Sequence, residues 1–308
     1  MSVRAAGLAR VALLALIWGS GFLWIKVSLG GFSPVQLTLG RLALGALILV
    51  IVLHRGAGRL PTDRGLWRHL IAAALLANAL PYLLFGIAEQ HIESNLAGAI
   101  TATTPLWTLA FALATRVERH LAPARALGLL LGFAGAVVIL APWQTTGASV
   151  GGAVACLSAS ASYGAGYVYM GRHLTGRGLP PLVLSAAQLI TATGWLVIAL
   201  PFGGLATPHP HIGAIIALLV LGAIGTGAAY VLNYRIITDD GPVLASTVTY
   251  LLPVVAVILG WLVLGEPITP PMTLGVATVL AGVALTRRRP APTAHRTTPS
   301  EPADRAHQ

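Results

Sequence analysis

One stretch of this sequence occurs twice, and its two copies lie almost half the chain apart. Each copy reads as an apolar helix interrupted by proline, a short polar turn with a glutamate, and a second apolar helix. Self-similarity at so long a period indicates a duplicated fold rather than a solenoid of short repeats. The matching residues are Leu96, Ala97, Thr101, Pro105, Glu118 and Pro123 in the first copy and Leu244, Ala245, Thr249, Pro253, Glu266 and Pro271 in the second, each 148 positions later.

The amino-acid composition places this duplicated fold in a membrane. Of the 308 residues, 56% are hydrophobic and only 9% are charged, whereas about a quarter of the residues in a soluble domain are charged. The net charge of +10 does not indicate a nucleic-acid partner, because the basic residues form short clusters between apolar runs. Cys156 is the only cysteine, which excludes a disulfide framework and a cysteine-based metal site. We expect a lipid bilayer around the chain, and no metal or cofactor.

Apolar runs long enough to cross a bilayer, about 20 residues each, occur ten times. Prolines lie at or next to several of their starts, where a missing backbone N–H is tolerated. The sequence therefore predicts an all-α membrane protein with ten transmembrane helices. Their predicted ranges are 8–29, 34–53, 70–88, 95–115, 125–143, 149–171, 180–201, 212–234, 243–264 and 270–286.

Lysine and arginine alternate between plentiful and absent along the connecting loops. Basic residues follow predicted helices two, four, six, eight and ten, whereas the loops after helices one, three, five, seven and nine contain none. Of the nineteen basic residues, only Lys26 and Arg41 fall away from one side. Because basic loops stay in the cytoplasm, we expect a multi-pass protein of the plasma (cytoplasmic) membrane with both termini cytoplasmic.

Five helices per copy give the two copies opposite directions across the bilayer, so the repeat is predicted to be inverted. The first unit covers residues 1–143 and the second covers 144–286. Residues 287–308 lack apolar content and are expected to form a disordered cytoplasmic tail. Further repeat-related pairs are Trp18-Gly19-Ser20-Gly21-Phe22 with Tyr163-Gly164-Ala165-Gly166-Tyr167, Arg41 with Gln188, and Tyr82 with Tyr230.

Ten predicted helices in an inverted five-plus-five repeat resemble the drug/metabolite transporter superfamily, in its EamA-type branch. The resemblance also rests on the tryptophan-glycine-small motif of helix one, the arginine of helix two and the duplicated proline-then-glutamate stretch. It extends over nearly the whole chain, residues 5–286. It implies a transporter that exports amino acids, other metabolites or toxic compounds.

Pro105 and Pro253 lie inside predicted helices four and nine, where each removes one backbone hydrogen bond. The carbonyls left free belong to Thr101 and Thr249, four residues earlier. We interpret the prolines as hinge or kink positions. The threonines become candidate substrate contacts at the interface between the repeats, where transporters of this build hold substrate. The alternative is a kink whose free carbonyl is satisfied by a neighbouring helix.

Arg41 lies seven residues inside predicted helix two, roughly 10 Å from its outer end. A charge at that depth is costly, so we expect it to face the bundle interior with a partner. Glu89, at the outer end of helix three, is the nearest obvious carboxylate. Lys26 lies near the outer end of helix one and can extend its amine to the interface. If both cations face a cavity, they favour a substrate with a carboxylate or phosphate. A structural role for Arg41 is equally open.

Aromatic and amide side chains gather at positions related by the repeat. They lie within predicted helices, several of them away from the interfacial belts where aromatics usually collect. Packing between helices is the alternative for each of them, but together they suit a site for an amphipathic organic substrate. The candidate substrate-binding residues are Arg41, Trp18, Asn78, Tyr82, Thr101, Tyr163, Tyr167, Gln188, Tyr230, Asn233, Thr249 and Tyr250.

The leading interpretation is a transporter that exports small organic metabolites, such as amino acids or toxic compounds, by alternating access. The alternatives are an exchanger of anionic substrates, such as nucleotide sugars or phosphorylated lipid carriers, and a non-transport membrane sensor. An enzyme is not expected, since no nucleophile with a base, metal cluster or paired aspartates stands out. No Asp or Glu lies deep within a predicted helix, which favours facilitated diffusion, exchange, or coupling through a site that the sequence does not identify. A GxxxG motif at Gly128 and Gly132 is typical of close helix packing, within the chain or in a homodimer.

Overall fold

The computed structural model describes residues 3–92, 97, 100–118, 122–141, 143, 149–264 and 269–286. Regular secondary structure in these residues is helical throughout. We number the helices so that those related by the repeat differ by five. The first copy contains α1 (Val3–Gly19 and Gly21–Leu29), α2 (Pro34–Arg55), α3 (Arg64–Ala88), α4 (Thr104–Ala114) and α5 (Pro123–Leu140).

The second copy follows the same order, and a helix overlaps each of the ten predicted stretches. Among the residues that the structure describes, five helices are long and apolar enough to cross a membrane, namely α1, α2, α3, α7 and α8. The all-α fold is therefore confirmed, whereas the count of ten transmembrane helices stays a prediction. The tail predicted at 287–308 lies outside the described residues. The helices of the second copy are α6 (Val150–His173), α7 (Pro181–Ala199), α8 (Ile212–Asp240), α9 (Pro242–Ser246 and Val248–Leu264) and α10 (Pro270–Thr286).

Polar residues fix the starts of several helices. Ser33 and Gln36 form a capping box at the start of α2, in which each side chain bonds to the backbone N–H of the other. The carboxylate of Asp63 accepts two N–H groups in the first turn of α3. Ser149 accepts one N–H at the start of α6. These caps satisfy donors that the first turn of a helix leaves free.

The two five-helix units interlock, and several of their contacts recur when the copies are exchanged. Helices α3 and α4 of the first unit pack on α6 of the second unit. In the same way, α8 and α9 of the second unit pack on α1 of the first unit. Likewise α2 packs on α8 as α7 packs on α3. The pairs α2–α7 and α5–α10 join repeat-related helices directly. The fold therefore consists of two equivalent halves around a shared seam.

Glycines allow a close approach of α5 and α10. A Cβ atom on Gly128 would lie 2.7 Å from the carbonyl oxygen of Gly282, and one on Gly135 would lie 2.8 Å from that of Gly275. Larger side chains would therefore push the two helices apart. The GxxxG motif is used for packing within the chain, while a homodimer stays a prediction.

The predicted proline kinks differ between the two copies. A turn at Ala102 and Thr103 interrupts the helix directly before Pro105, which lies in the first turn of α4. In the second copy the interruption lies at Thr247, six residues before Pro253, and the helix continues through this proline. The Thr247 hydroxyl donates to a carbonyl three residues earlier, a bond that competes with regular helix pairing. The structure thus moves the break in α9 away from its proline.

Both α3 and α8 contain a π-helical segment, and the two segments overlap when the repeat is applied. The first π segment is Leu75–Ala79, within α3, and the second is Leu221–Ala228, within α8. π turns inside α-helices occur mostly in short pieces and frequently at functional sites. The sequence analysis did not anticipate them. They flank the seam between the two halves.

Candidate substrate cavity

A cavity of about 110 Å³ lies between the two halves, with walls from α1, α2 and α3 on one side and α6, α8 and α9 on the other. The fold brings most of the predicted substrate residues together around this cavity. Whether substrate binds there stays a prediction. Nine of the twelve candidates line the cavity, namely Trp18, Arg41, Tyr82, Thr101, Tyr163, Tyr167, Tyr230, Asn233 and Thr249.

The other three candidates, Asn78, Gln188 and Tyr250, form buried contacts with protein instead. The Nε2 of Gln188 donates to the Oδ1 of Asn78 at 2.6 Å, and its Oε1 accepts the hydroxyl of Tyr234. The hydroxyl of Tyr250 donates to the carbonyl oxygen of Leu129 on α5 at 2.9 Å. These bonds pair the Oδ1 of Asn78, the side-chain amide of Gln188 and the hydroxyl of Tyr250 inside the bundle, while the Nδ2 of Asn78 has no partner among the described residues. Since none of the three lines the cavity, we assign them to packing rather than to substrate.

Arg41 reaches the cavity from α2 and is only 8% exposed. Its Nε donates to the Oγ1 of Thr226 in the second π segment at 3.0 Å, and its guanidinium carbon lies 4.2 Å from the ring centroid of Tyr82. A cation over an aromatic face is stabilised by the ring quadrupole. No carboxylate of the described chain lies within ion-pairing distance of Arg41. The expected partner, Glu89, is therefore not bound to it, and the charge is open to a ligand.

The two π segments supply backbone acceptors to aromatic side chains of the opposite half. The Nε1–H of Trp18 on α1 donates to the carbonyl oxygen of Gly225 at 3.1 Å. The hydroxyl of Tyr230 on α8 donates to the carbonyl oxygen of Ala77 at 2.6 Å. These bonds fix two of the rings that form the cavity walls. They also tie each half to the other at the level of the cavity.

The rest of the wall is aromatic and apolar. The ring centroid of Tyr163 lies 6.2 Å from that of Tyr82 and 5.8 Å from that of Phe85. Ile17 and Leu252 complete the apolar surface from α1 and α9. Apolar walls with a few fixed polar groups suit a small organic molecule of mixed polarity.

Two glycines at repeat-related positions differ in the space that surrounds them. A Cβ atom on Gly166 in α6 would lie 2.8 Å from the Cβ of Ala77, so this side of the seam is tightly packed. A Cβ atom on Gly21 in α1 would meet nothing within 4 Å. Gly21 itself lines the cavity. The two halves share one framework, but at this pair of positions only Gly21 borders open space.

Thr101 and Thr249 both line the cavity, and their hydroxyls bond to nearby carbonyls. The Oγ1 of Thr101 donates to the carbonyl oxygen of Ala97 at 2.7 Å, and that of Thr249 donates to Ser246 at 2.9 Å. The hydroxyl protons are therefore already used. Each hydroxyl oxygen retains the ability to accept a hydrogen bond from a ligand.

Glu89 also lines the cavity, although the sequence analysis considered it only as a partner for Arg41. It follows directly after α3, and its Oε1 is buried with no hydrogen-bond partner among the residues that the structure describes. Burial raises the pKa of Glu89 to about 7, while the charges of Arg41 and Lys26 act in the opposite direction. Its position seven residues after Tyr82, on the same helical face, is the sequence signal that could have placed it here.

Comparison with known proteins agrees with this architecture. The EamA-like transporter family matches the chain twice, at residues 5–141 and 150–288. The chain belongs to the EamA-like transporter family. Each match covers one of the two five-helix units, and the resemblance drawn from the repeat is confirmed.

Several relatives of this EamA-like transporter span most of its length. The uncharacterized inner membrane transporter YedA of Escherichia coli (strain K12) is 28% identical over 274 residues, which cover 88% of this chain and 87% of YedA. The uncharacterized transporter YdfC of Bacillus subtilis (strain 168) is 25% identical over 282 residues, 89% of each chain. The uncharacterized protein PA1977 of Pseudomonas aeruginosa is 30% identical over 255 residues, 82% of this chain and 84% of that protein.

A solved crystal structure shares the fold of this family member. It superposes with a TM-score of 0.75 at 20% sequence identity, and the match covers 92% of this chain and 98% of the other. At this identity the likeness concerns the fold alone. The family and its relatives establish a multi-pass membrane transporter of the plasma membrane.

Proposed function

We propose that this EamA-like transporter exports small amphipathic organic metabolites, amino acids or close relatives, by alternating access between its two halves. The carboxylate of the substrate binds the guanidinium of Arg41. One observation carries this proposal: Arg41 is a buried cation that Thr226 and Tyr82 hold in place, without a carboxylate of the described chain against it. Arginine bonds to carboxylates are charge-assisted and often bidentate, which gives both strength and orientation.

The size of the cavity favours a small substrate. Its volume of about 110 Å³ is on the scale of an engineered cavity of about 150 Å³ that holds benzene in another protein. An amino acid with a compact side chain is of this size, whereas a nucleotide sugar is much larger. The tyrosine walls offer apolar faces to the side chain while Arg41 holds the polar end.

The mechanism of alternating access rests on the two interlocked halves. A binding site on the seam between repeats opens to either side when one half rocks against the other. Export from the cytoplasm is the proposed direction, and the EamA-type resemblance supports it. The two hydrogen bonds between π segments and opposite halves, Trp18 to Gly225 and Tyr230 to Ala77, are contacts that such rocking has to keep or exchange.

The proposal is tested with the purified protein in liposomes that are preloaded with an equimolar mixture of the twenty protein amino acids. Efflux is followed by mass spectrometry. We expect a subset of the mixture to leave faster than from preloaded liposomes without the protein. Arg41→Gln should reduce the difference at low amino-acid concentrations, because it weakens binding of the substrate carboxylate. Accumulation of the same compounds in the medium of overexpressing cells would support export. Equal efflux with and without the protein would overturn the assignment of amino acids as substrate.

The same buried guanidinium favours a second candidate, exchange of anionic substrates. Phosphate groups also bind arginine through paired hydrogen bonds. Exchange of anionic substrates is tested in the same liposomes by measuring counterflow of inorganic phosphate and of a nucleotide sugar. Because of the cavity volume, we expect no exchange of the nucleotide sugar, and rapid exchange of it would replace the first proposal by the second.

A further inference from the structure

Two charged side chains reach the cavity from different helices without pairing with each other. Arg41 enters from α2 and Glu89 enters from the end of α3. The described residues form three salt bridges, Arg10 with Asp239, Arg235 with Asp239 and Arg125 with Glu118, and neither Arg41 nor Glu89 takes part. The cavity therefore presents a cation and a carboxylate at two separate points.

The carboxylate of Glu89 has one oxygen without a hydrogen-bond donor among the described residues. Its Oε1 is buried and accepts no hydrogen bond from the residues that the structure describes. A buried polar atom in this state is costly unless a partner arrives. Two partners are chemically suitable: a proton on the carboxyl group itself, or an N–H donor on a bound ligand.

Several charged or titratable side chains of the described residues surround Glu89. Arg41 faces it from α2, and Lys26 contributes from the end of α1. From α6 come Tyr163, whose ring lies against Phe85, and Cys156. Tyr82 precedes it on α3 and His91 follows it by two residues. The two cations favour the charged carboxylate, whereas burial favours the protonated form, and the balance puts the pKa of Glu89 at about 7.

We infer that a proton and the ammonium group of the substrate occupy Glu89 in turn, so that the transporter exchanges one amino acid for one proton. This inference rests on the proposed function, because it takes an amino acid as the substrate. The carboxylate of the zwitterion binds Arg41, and its ammonium group supplies the donor that Glu89 lacks. The ammonium group pairs with Glu89 only after the carboxyl proton has left for water. A protonated Glu89 is neutral and no longer attracts the ammonium group.

This competition sets the direction of coupling. One proton is released for each substrate that binds, and one is taken up when the substrate leaves. Protons moving into the cell then drive amino acids out of it. The coupling replaces the facilitated diffusion that the absence of a carboxylate deep in any predicted helix had favoured.

The proton site is tested first without any substrate. The full chain in lipid nanodiscs is titrated while infrared difference spectra follow the carbonyl band of protonated carboxyl groups. We expect one component with a midpoint near 7 that Glu89→Gln abolishes and Glu89→Asp retains. The control is Glu118→Gln, a carboxylate that pairs with Arg125 outside the cavity, and it should leave the component unchanged. A titration of Glu89 in the ordinary glutamate range near 4.3, or a component that survives Glu89→Gln, would overturn the inference.

Coupling is tested in liposomes with an acidic interior, a clamped membrane potential and the mixture of twenty amino acids outside. With one proton exchanged per substrate, a gradient of one pH unit drives accumulation of up to about tenfold. We expect Glu89→Gln to abolish this accumulation and Glu89→Asp to restore part of it. Gradient-driven accumulation by Glu89→Gln at the wild-type level refutes the coupling. A wild-type protein that moves no amino acid refutes the proposed function instead, and the infrared titration still decides the proton site.

Discussion

The Nε of Arg41 donates a 3.0 Å hydrogen bond to the Oγ1 of Thr226, and the repeat places Gln188 and Asn78 at the same two positions in the opposite halves. Gln188 and Asn78 are also hydrogen-bonded, at 2.6 Å. Both copies thus use the same cross-link between helix two of one half and the π segment of the other half. Only one of the two cross-links carries a charge, and that one faces the cavity. The duplicated framework is shared, and the binding chemistry is confined to one side.

Arg41→Gln gives this side the uncharged residue of the other half. Because hydrogen bonds to charged groups contribute about 1.5–3 kcal/mol, we expect the half-saturating concentration for amino-acid efflux to rise roughly 10- to 100-fold. The melting temperature should stay the same or increase, since a buried cation without a carboxylate is removed. Liposome efflux and a thermal-shift assay measure the two effects.

The matched control for Arg41→Gln is Lys26→Gln, which removes the other cation on this side of the chain. Lys26 is exposed, and an exposed charge contributes little to a buried ligand. We expect less than a threefold change in half-saturation. If the half-saturating concentration rises equally in both variants, the net positive charge of this region attracts the substrate, rather than the buried guanidinium of Arg41.

Gly21→Leu and Gly166→Leu are expected to have opposite effects although the two positions are related by the repeat. The leucine at 21 extends into the open space of the cavity, so transport should be lost while the melting temperature is kept. The leucine at 166 meets Ala77 at once, and overpacking of this kind costs about 1–3 kcal/mol or more. Efflux and thermal unfolding of both variants, side by side, check the expectation. Retention of transport by Gly21→Leu would contradict the assignment of the cavity.

Gln188→Leu should reduce stability and leave substrate affinity unchanged. The variant takes the hydrogen-bond partner from Asn78 and from Tyr234, and each buried group left unpaired costs about 1–3 kcal/mol. The control is Thr193→Val on the same helix, whose hydroxyl bonds only within α7 and whose loss should cost about 0.5 kcal/mol or less. A higher half-saturating concentration without a lower melting temperature would indicate that Gln188 contacts the substrate.

His173 makes stability depend on pH at the end of the bundle that is predicted to be cytoplasmic. It lies beyond predicted span 149–171 and stacks on His69 at 4.6 Å, while His69 bonds to the hydroxyl of Tyr169 at 2.8 Å. Burial, together with nearby positive charges, lowers the pKa of His173 below 6.5. The unfolded chain then binds the proton more readily, so this stability is present above pH 6.5 and is lost as the pH falls through the folded value. The melting temperature of His173→Gln should fall less on acidification than that of the wild type, whereas the exposed His209→Gln should behave as the wild type.

The helices could be predicted because apolar runs and proline positions are local signals. Two aromatic pairs in the cavity wall could be grouped from the sequence because the repeat relates Trp18 to Tyr163 and Tyr82 to Tyr230. The rotation of each helix could not be predicted, since helices that are apolar on all sides give no periodic pattern to orient them. The sequence therefore groups Asn78 with the candidate substrate residues, although in the structure its side chain bonds to Gln188 on a neighbouring helix.

The π segments and Glu89 escaped prediction for two further reasons. A π turn is one inserted residue in a helix, and nothing in Leu75–Ala79 distinguishes it from an ordinary apolar turn. Glu89 lies one residue past its predicted helix, 70–88, so the sequence indicates only a partner for Arg41 at the outer end of that helix. In the structure the end of α3 is covered by α6 and α2, and this packing buries its carboxylate oxygen.

The inverted arrangement itself is tested with single cysteines. The native Cys156 is fully buried, and Cys156→Ala provides a background without cysteine. Arg59→Cys, in the loop after α2, and Arg177→Cys, in the loop after α6, are exposed positions in the first and second copies. Because the basic loops are predicted to share the cytoplasmic side, both should react with a membrane-impermeant maleimide only after the cells are permeabilised. His209→Cys, in the loop between α7 and α8, should react in intact cells. If the cysteines at 59 and 177 react from opposite sides, the two copies run in the same direction, and a seam that opens alternately to each side is no longer available.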